Sequence, residues 1–338
     1  MSCKGLDGRD VDWFVAIKFP EMRDSNRDIS DGVGFVYADN KNPTFVLSNF
    51  PINSSLSAIG KTVNQVLQAK NQEDLFYALY NDDHPNGKPD SYRGHLKGAL
   101  TFDDFQGFWL IHSVPKYPDS TQQLYTYPIT GVKYGQSFIC VTFPVTSLNE
   151  IGEQLWFMQP SVYDYNLPES FKNLFPNLAK AVTKKALPRS AKKYANVANL
   201  MSKGGTEFTS FAKHKKFAKD LYADLVARTL RKTFYAETWL NGKGDLGPSC
   251  NGTYNVYDVD RLQILGKTFV NSRDHSKWGI SATSTSAIVC IGDINRQSSQ
   301  AARGGGTMCV KNPQLWKNFK NAIKLAKCCA GQRSCLPS

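Results

Sequence analysis

The chain has 338 residues, of which 41% are apolar and 12% aromatic, and it carries a formal charge of +12. That is enough apolar material for a substantial core in one large or two ordinary domains, and the chain should fold unaided. Its basic balance points to a polyanionic partner, either nucleic acid or an anionic membrane surface. No apolar run is long enough to cross a bilayer, and Met1-Ser2-Cys3-Lys4 lacks the apolar stretch of a secretory signal, so the protein is either intracellular or a mature form without its signal.

In chain order, Val11 to Phe19 and Val33 to Tyr37 are rich in Val, Ile, Phe and Tyr and are broken by Pro20, Gly32 and Asn40, which predicts strands. Leu56, Ile59, Val63, Val66 and Leu67 recur at three- and four-residue steps and predict an amphipathic helix between Leu56 and Lys70. A strand is expected around Phe138 to Phe143. Ser147-Leu148-Asn149-Glu150 then has a capping-box pattern ahead of a helix carrying Ile151, Leu155 and Trp156. The stretch from Lys184 to Thr206, with Pro188, Gly204 and Gly205, reads as an exposed connection. Leu221, Leu225 and Val226 fit a helix, and Ala287 to Ile294 fits a buried strand. Strands alternating with helices favour an α/β layer architecture.

The eight cysteines, Cys3, Cys140, Cys250, Cys290, Cys309, Cys328, Cys329 and Cys335, lack the CxxC pairs of a zinc site or redox dithiol. Scattered and even in number, they favour disulfides. Two glycosylation acceptors, Asn53 (Asn53-Ser54-Ser55) and Asn251 (Asn251-Gly252-Thr253), agree with an oxidising compartment and favour the mature, signal-free reading. Lysine and arginine crowd between Lys184 and Lys232, a run that is either a solvated face or a grip on a DNA backbone.

One comparison within the chain is more telling. His95-Leu96-Lys97 precedes the apolar run Phe108 to Ile111 that ends at His112, and His275-Ser276-Lys277 precedes Ile288 to Ile291 that ends at Gly292. The step is 17 residues each time, 95 to 112 and 275 to 292. This suggests two halves, each with strand, turn and strand, as a site of two-fold symmetry needs. On a strand, residues i and i+2 share a face, so each HxK sets an imidazole beside an ammonium. Facing one another, two such units make a phosphate pocket. The lysines neutralise the non-bridging oxygens, one neutral imidazole attacks phosphorus, and a protonated one gives its proton to the leaving oxygen, with no metal or other cofactor required. Of the five histidines, His84 reads as a turn residue and His214 as part of a basic surface.

At these motifs the chain resembles the deoxyribonuclease II family of acid endonucleases, nearly from end to end. The carrying segments are Val11-Asp12-Trp13-Phe14, Gly94-His95-Leu96-Lys97-Gly98, Gly107 to Pro115, Asp274-His275-Ser276-Lys277-Trp278, Gly292-Asp293-Ile294-Asn295-Arg296 and Arg303-Gly304-Gly305-Gly306-Thr307. The resemblance implies a phospholipase D-like α/β fold of two pseudo-symmetric halves, about 1–180 and 181–338, each a mixed sheet flanked by helices with the active site between them. It also implies hydrolysis of duplex DNA through a phosphohistidine to 3′-phosphate and 5′-hydroxyl ends, a homodimer, and a lysosomal or secreted location.

By the same resemblance His95, Lys97, His112, His275 and Lys277 are the site residues. Asn295 joins them as a phosphate-binding or orienting residue. His95 is favoured as nucleophile and His275 as acid, with the reverse open. Asp293 either orients a histidine or ends a strand. Cys3 would pair with Cys140, Cys290 with Cys309, and Cys250 with Cys328 or Cys329, leaving Cys335 for an extra bridge or a reactive thiol. Leu96, where a small hydroxyl residue is usual, points away from the chemistry. Two other readings stand beside the nuclease: a phosphodiesterase acting on another substrate, and an idle homologue that only binds DNA.

Overall fold

The computed structural model describes residues 1–70, 72–330 and 335–336. Strands of the first half join in an antiparallel eight-stranded sheet ordered Val162–Asn166, Phe76–Asn81, Lys97–Phe102, Gln106–His112, Gln136–Pro144, Trp13–Lys18, Phe35–Asp39, Val46–Leu47. The second half builds a nine-stranded sheet in which Ala195–Met201, Glu207–Lys213, Gly305–Lys311, Ile288–Gly292, Trp278–Ser281, Phe234–Glu237, Val256–Ile264 and Lys267–Val270 follow one another, with Ile323–Lys327 also paired to Val256–Ile264. This sheet is mixed, because Phe234–Glu237 runs parallel to Val256–Ile264; the first sheet is antiparallel at every pairing, so a mixed sheet, expected in both halves, is found only in the second.

Both sheets are covered on both faces. The largest apolar cluster joins one face of each sheet (Trp13, Val15 and Ile17 with Trp278, Ile280 and Val289) to the helices Leu148–Met158 and Pro313–Ala322. On the other face of the first sheet, Ile59, Val63 and Val66 of the helix Ala58–Ala69 pack on Phe14, Phe108 and Leu110. On the other face of the second, Leu221, Tyr222 and Val226 pack on Phe211, Phe234 and Val256. A strand buried on both faces has no polar side to alternate with. That is why Trp13 to Ile17 reads as a continuous apolar run; the whole strand is buried, with the Lys18 ammonium at its end donating to the carbonyls of Gly32 and Val132.

The expected elements are present, with four corrections of detail. Ser57 caps the first long helix, its Oγ accepting from the Gly60 N–H, so Leu56 lies outside the stripe and is 53% exposed. Ser147 makes no side-chain cap, because a 3₁₀ turn over Val145–Ser147 has already put it in helical conformation; the capping box is not formed, although the helix Leu148–Met158 begins there. The supposed connection from Lys184 to Thr206 contains the strand Ala195–Met201, which pairs with Glu207–Lys213 across a turn at Gly204 and Gly205. That edge strand alternates buried and exposed side chains, a weak signal beside its lysine-rich approach. The helix expected at Leu221 is a π-turn over Tyr222–Val226 followed by Ala227–Leu230.

Disulfides join Cys3 to Cys140, Cys250 to Cys329, Cys290 to Cys309 and Cys328 to Cys335, so Cys250 takes the second of its two candidates and Cys335 forms the extra bridge. The first ties the N-terminus to the centre of its sheet across 137 residues, the kind of long loop whose closure restricts the unfolded chain most, typically by about 2–4 kcal/mol. Among the described residues, no helix is long and apolar enough to cross a membrane.

Candidate active site

Each HxK leads directly into a strand, Lys97–Phe102 in the first sheet and Trp278–Ser281 in the second, and each strand forms a hairpin with the next, Gln106–His112 or Ile288–Gly292. The pairs Gly98 with Ile111 and Trp278 with Ile291 fix the two registers, so His112 lies across from Lys97 and Gly292 across from Lys277. The 17-residue step in sequence is therefore two hairpins of equal reach.

The two motifs are then held by exchange between the sheets. The His95 backbone N–H donates to the carbonyl of Gly304, at the head of the strand Gly305–Lys311, at 2.8 Å. The His275 N–H donates to the carbonyl of Gly135, at the head of Gln136–Pro144, at 2.9 Å. These crossings require glycine. A Cβ on Gly304 would stand 2.1 Å from the Met158 carbonyl oxygen, and one on Gly135 would stand 2.2 Å from the Asp274 carboxylate. The glycine run after Arg303 thus serves close approach of main chains rather than a phosphate loop.

The surroundings of the two histidines differ. His95 Nδ1 is 2.7 Å from the Asp293 carbonyl oxygen, which can only accept, so Nδ1 carries the proton and Nε2 keeps its lone pair. Asp293 does orient a histidine, but through its main chain. Nε2 faces the Asp82 carboxylate at 3.9 Å, and Asp82 also pairs with the Lys97 ammonium and, at 3.3 Å, with Arg303. Burial pushes His95 down to about 3, Lys97 adds to the effect, and Asp82 opposes it. Asp82 would be raised by burial, but Lys97, His95 and Arg303 together hold it well below the usual carboxylate range.

His275 instead lies between aromatic rings, stacked on Tyr134 at 4.4 Å and tilted against Trp239 at 4.0 Å, with its Nε2 buried and without a hydrogen-bond partner among the described residues. Burial and then the charges of Lys277, Lys97 and His95 hold it far below the ordinary imidazole value. Lys277 donates to the His275 carbonyl at 2.6 Å, and burial followed by repulsion from Lys97 brings it down to about 7. Each motif thus feels the charge of the other.

The remaining expected residues are placed as follows. His112 is fully buried across the hairpin from Lys97, with Nδ1 accepting from the Val114 N–H at 3.2 Å and the ring edge-on to Tyr117. Asn295 is 6% exposed; its backbone N–H donates to Gln300 Oε1, and its side-chain oxygen has no hydrogen-bond partner among the described residues. The Asp293 carboxyl, buried and accepting from the Gly306 N–H, is raised to about 7 by that burial. Leu96 is fully buried in the shared core. His84 lies in a loop, its Nε2 2.9 Å from the Ser161 hydroxyl. His214 is 4% exposed, its Nδ1 accepting from the Lys216 N–H, so it is no part of a basic surface. Asn53 and Asn251 are both exposed. Among the described residues, no group of three or more His, Cys, Asp or Glu side chains is arranged to hold a metal ion.

Four residues of the arrangement were not singled out for the site from sequence: Asp82, Arg303, Tyr134 and Trp239. Asp82 was hidden in the turn-like Asn81-Asp82-Asp83-His84, and Arg303 in the glycine run it precedes. Nothing local marked Tyr134 or Trp239.

Two histidines and two lysines brought together by the crossed ends of two sheets, with a carboxylate and a guanidinium alongside, make a candidate centre for chemistry at phosphorus. Residues 2–329 match the family model described as Deoxyribonuclease II. The chain is 40% identical to Cell-death-related nuclease 7 of Caenorhabditis elegans, over 96% of this chain and 86% of that protein. It is 36% identical to Deoxyribonuclease-2-alpha of Rattus norvegicus (97% and 95% covered) and 35% identical to Plancitoxin-1 of Acanthaster planci (96% and 91%). The chain belongs to the deoxyribonuclease II family, a family of endonucleases.

Proposed function

We propose that the protein is an acid endodeoxyribonuclease that cuts DNA without a metal, through a phosphohistidine on His95. The observation that carries this reading is the hydrogen bond from His95 Nδ1 to the Asp293 carbonyl, which leaves Nε2 as a free lone pair and favours the positive charge that grows on the ring as it takes up phosphorus. Nε2 attacks phosphorus, the bond to O5′ breaks, and O5′ takes a proton from protonated His275. Water then gives a proton to the neutral His275 and breaks the P–N bond, leaving 3′-phosphate and 5′-hydroxyl ends and neutral His95. Lys97 and Lys277 balance the non-bridging oxygens. His112 stands beside Lys97 on the neighbouring strand, and Asn295 offers a side chain to the phosphate.

His275 is depressed in the empty site by burial and by positive neighbours, so a phosphodiester anion raises it toward its usual range. Low pH completes its protonation, the reason to expect an acid optimum.

A phospholipase D-like pair of related halves, divided near residue 180, belongs to the same proposal. It is supported by the matching hairpin registers and the reciprocal histidine-to-glycine bonds. Four disulfides and two exposed acceptor asparagines, Asn53 and Asn251, support a lysosomal or secreted glycoprotein. The homodimer rests on the family resemblance alone, and a light-scattering mass of one chain would remove it.

The test is to incubate plasmid DNA near pH 5 in excess chelator and identify the new ends. Cutting to 3′-phosphate and 5′-hydroxyl is expected. Loss of cutting in chelator, or 5′-phosphate ends, would refute the mechanism.

A further inference from the structure

The basic run from Lys184 to Lys232 does not act as one surface. Lys213 turns inward, donating to the carbonyls of Gln300, Ala301 and Arg303 at 3.0, 2.9 and 2.6 Å, so its charge closes the loop that carries Arg303. Of its neighbours Lys216 is exposed and Lys215 half-buried, the Lys215 Nζ lying 3.2 Å from the centre of the Tyr92 ring. Tyr92 is 74% exposed and stands three residues before His95. Next to it, Arg93 donates from one terminal nitrogen to the Lys184 carbonyl at 3.1 Å, while its other, Nη1, is buried with no partner among the described residues. The one acid in this segment, Asp90, is turned toward the protein, taking the Ser161 hydroxyl and the N–H groups of Tyr92 and Arg93. Cations distant in sequence are thus gathered on the short segment that leads to His95.

We propose that Tyr92, Arg93, Lys184, Lys215 and Lys216 form a track for the DNA backbone on one side of the scissile phosphate, with the Tyr92 ring holding Lys215 in place. From residue 92 to residue 95 the chain spans at most about 10 Å, the axial length of roughly three nucleotides at about 3.4 Å each. The exposed ring suits the purpose, because a cation over an aromatic face is positioned without being neutralised. This inference rests on the reading of DNA as the substrate.

Binding is measured by fluorescence anisotropy on a DNA duplex in chelator, with His95→Ala protein so that no cutting intrudes, between 50 and 200 mM salt. Adding Lys215→Ala and Lys216→Ala removes two phosphate contacts. The slope of log K against log salt should fall by about 1.8, so the loss of affinity shrinks roughly twelvefold across that range. Tyr92→Ala should weaken binding where Tyr92→Phe does not. The control is Lys317→Ala with Lys324→Ala, an equal loss of charge from exposed positions on and just after the helix Pro313–Ala322, which packs beside Phe45 at the other edge of the first sheet. An unchanged slope in the track variant, or an equal fall in the control, overturns the track. Binding as expected without cutting by the unsubstituted protein would instead sink the nuclease reading and leave the track standing.

Discussion

The two HxK hairpins are alike in sequence and in register, yet their histidines have different surroundings. His95 is set by a main-chain carbonyl on one nitrogen and faces a carboxylate, an ammonium and a guanidinium on the other side. His275 is clamped by Tyr134 and Trp239, and among the described residues its Nε2 has no partner. A fixed tautomer with a free lone pair suits a nucleophile. A ring held by aromatic faces, with no fixed partner for its proton, suits a group that gives and regains one. Two hairpins of equal register thus give the two imidazoles unlike neighbours, the difference on which the proposed roles rest.

The largest expected effect separates those roles. His95→Ala should abolish cutting of both DNA and a p-nitrophenyl phosphodiester, by about 10⁶-fold, as removal of the nucleophile does in a serine-protease triad. His275→Ala should abolish cutting of DNA yet still release p-nitrophenolate in a first-turnover burst, since that leaving group needs no proton. A burst from His95→Ala instead would reverse the assignment.

Removing Asp82 tests the polar side of the comparison. Asp82→Ala leaves Lys97 and Arg303 without their shared counter-charge, and loss of one partner in so buried a group should lower stability by about 3 kcal/mol in urea titration. Unchanged stability would mean that the lysine and arginine find water or other partners.

The smallest effect is in pH dependence. The Asp293 carboxyl is raised to about 7 by burial, so it stays protonated in the folded protein where the unfolded chain has already lost its proton. Its contribution to stability is fully present below the unfolded value of 3.8 and is lost as pH rises through about 7. His95 acts oppositely: depressed to about 3 from 6.5, it contributes above 6.5, and that contribution is lost as pH falls through 3. Asp293→Asn should therefore make the urea midpoint at pH 4.5 less favourable relative to that at pH 7. If the difference between the two pH values does not move, the carboxyl is not held neutral.

Much of the fold was legible because burial leaves a mark on sequence. Trp13–Lys18 and Ala58–Ala69 follow from an apolar run and an apolar stripe. Ala195–Met201 was missed because an edge strand with half its side chains in solvent does not stand out from a basic loop. His214 was misplaced because neighbouring lysines suggest a surface, whereas its ring stacks on Tyr194 at 5.9 Å. Each is decided by what the rest of the chain brings alongside.

By itself, the sequence determined the chemical inventory and its duplication. Two imidazole and ammonium pairs, each 17 residues before the end of the apolar run that follows, are a covalent fact, and hairpins of equal register return to equal positions, although each histidine lies ahead of its strand rather than on it. Tertiary structure alone decided which nitrogen of His95 is free, where Asp82, Arg303, Tyr134 and Trp239 stand, and which lysines face solvent. Those are contacts across separations as large as 221 residues, between Arg303 and Asp82, and no local pattern records them.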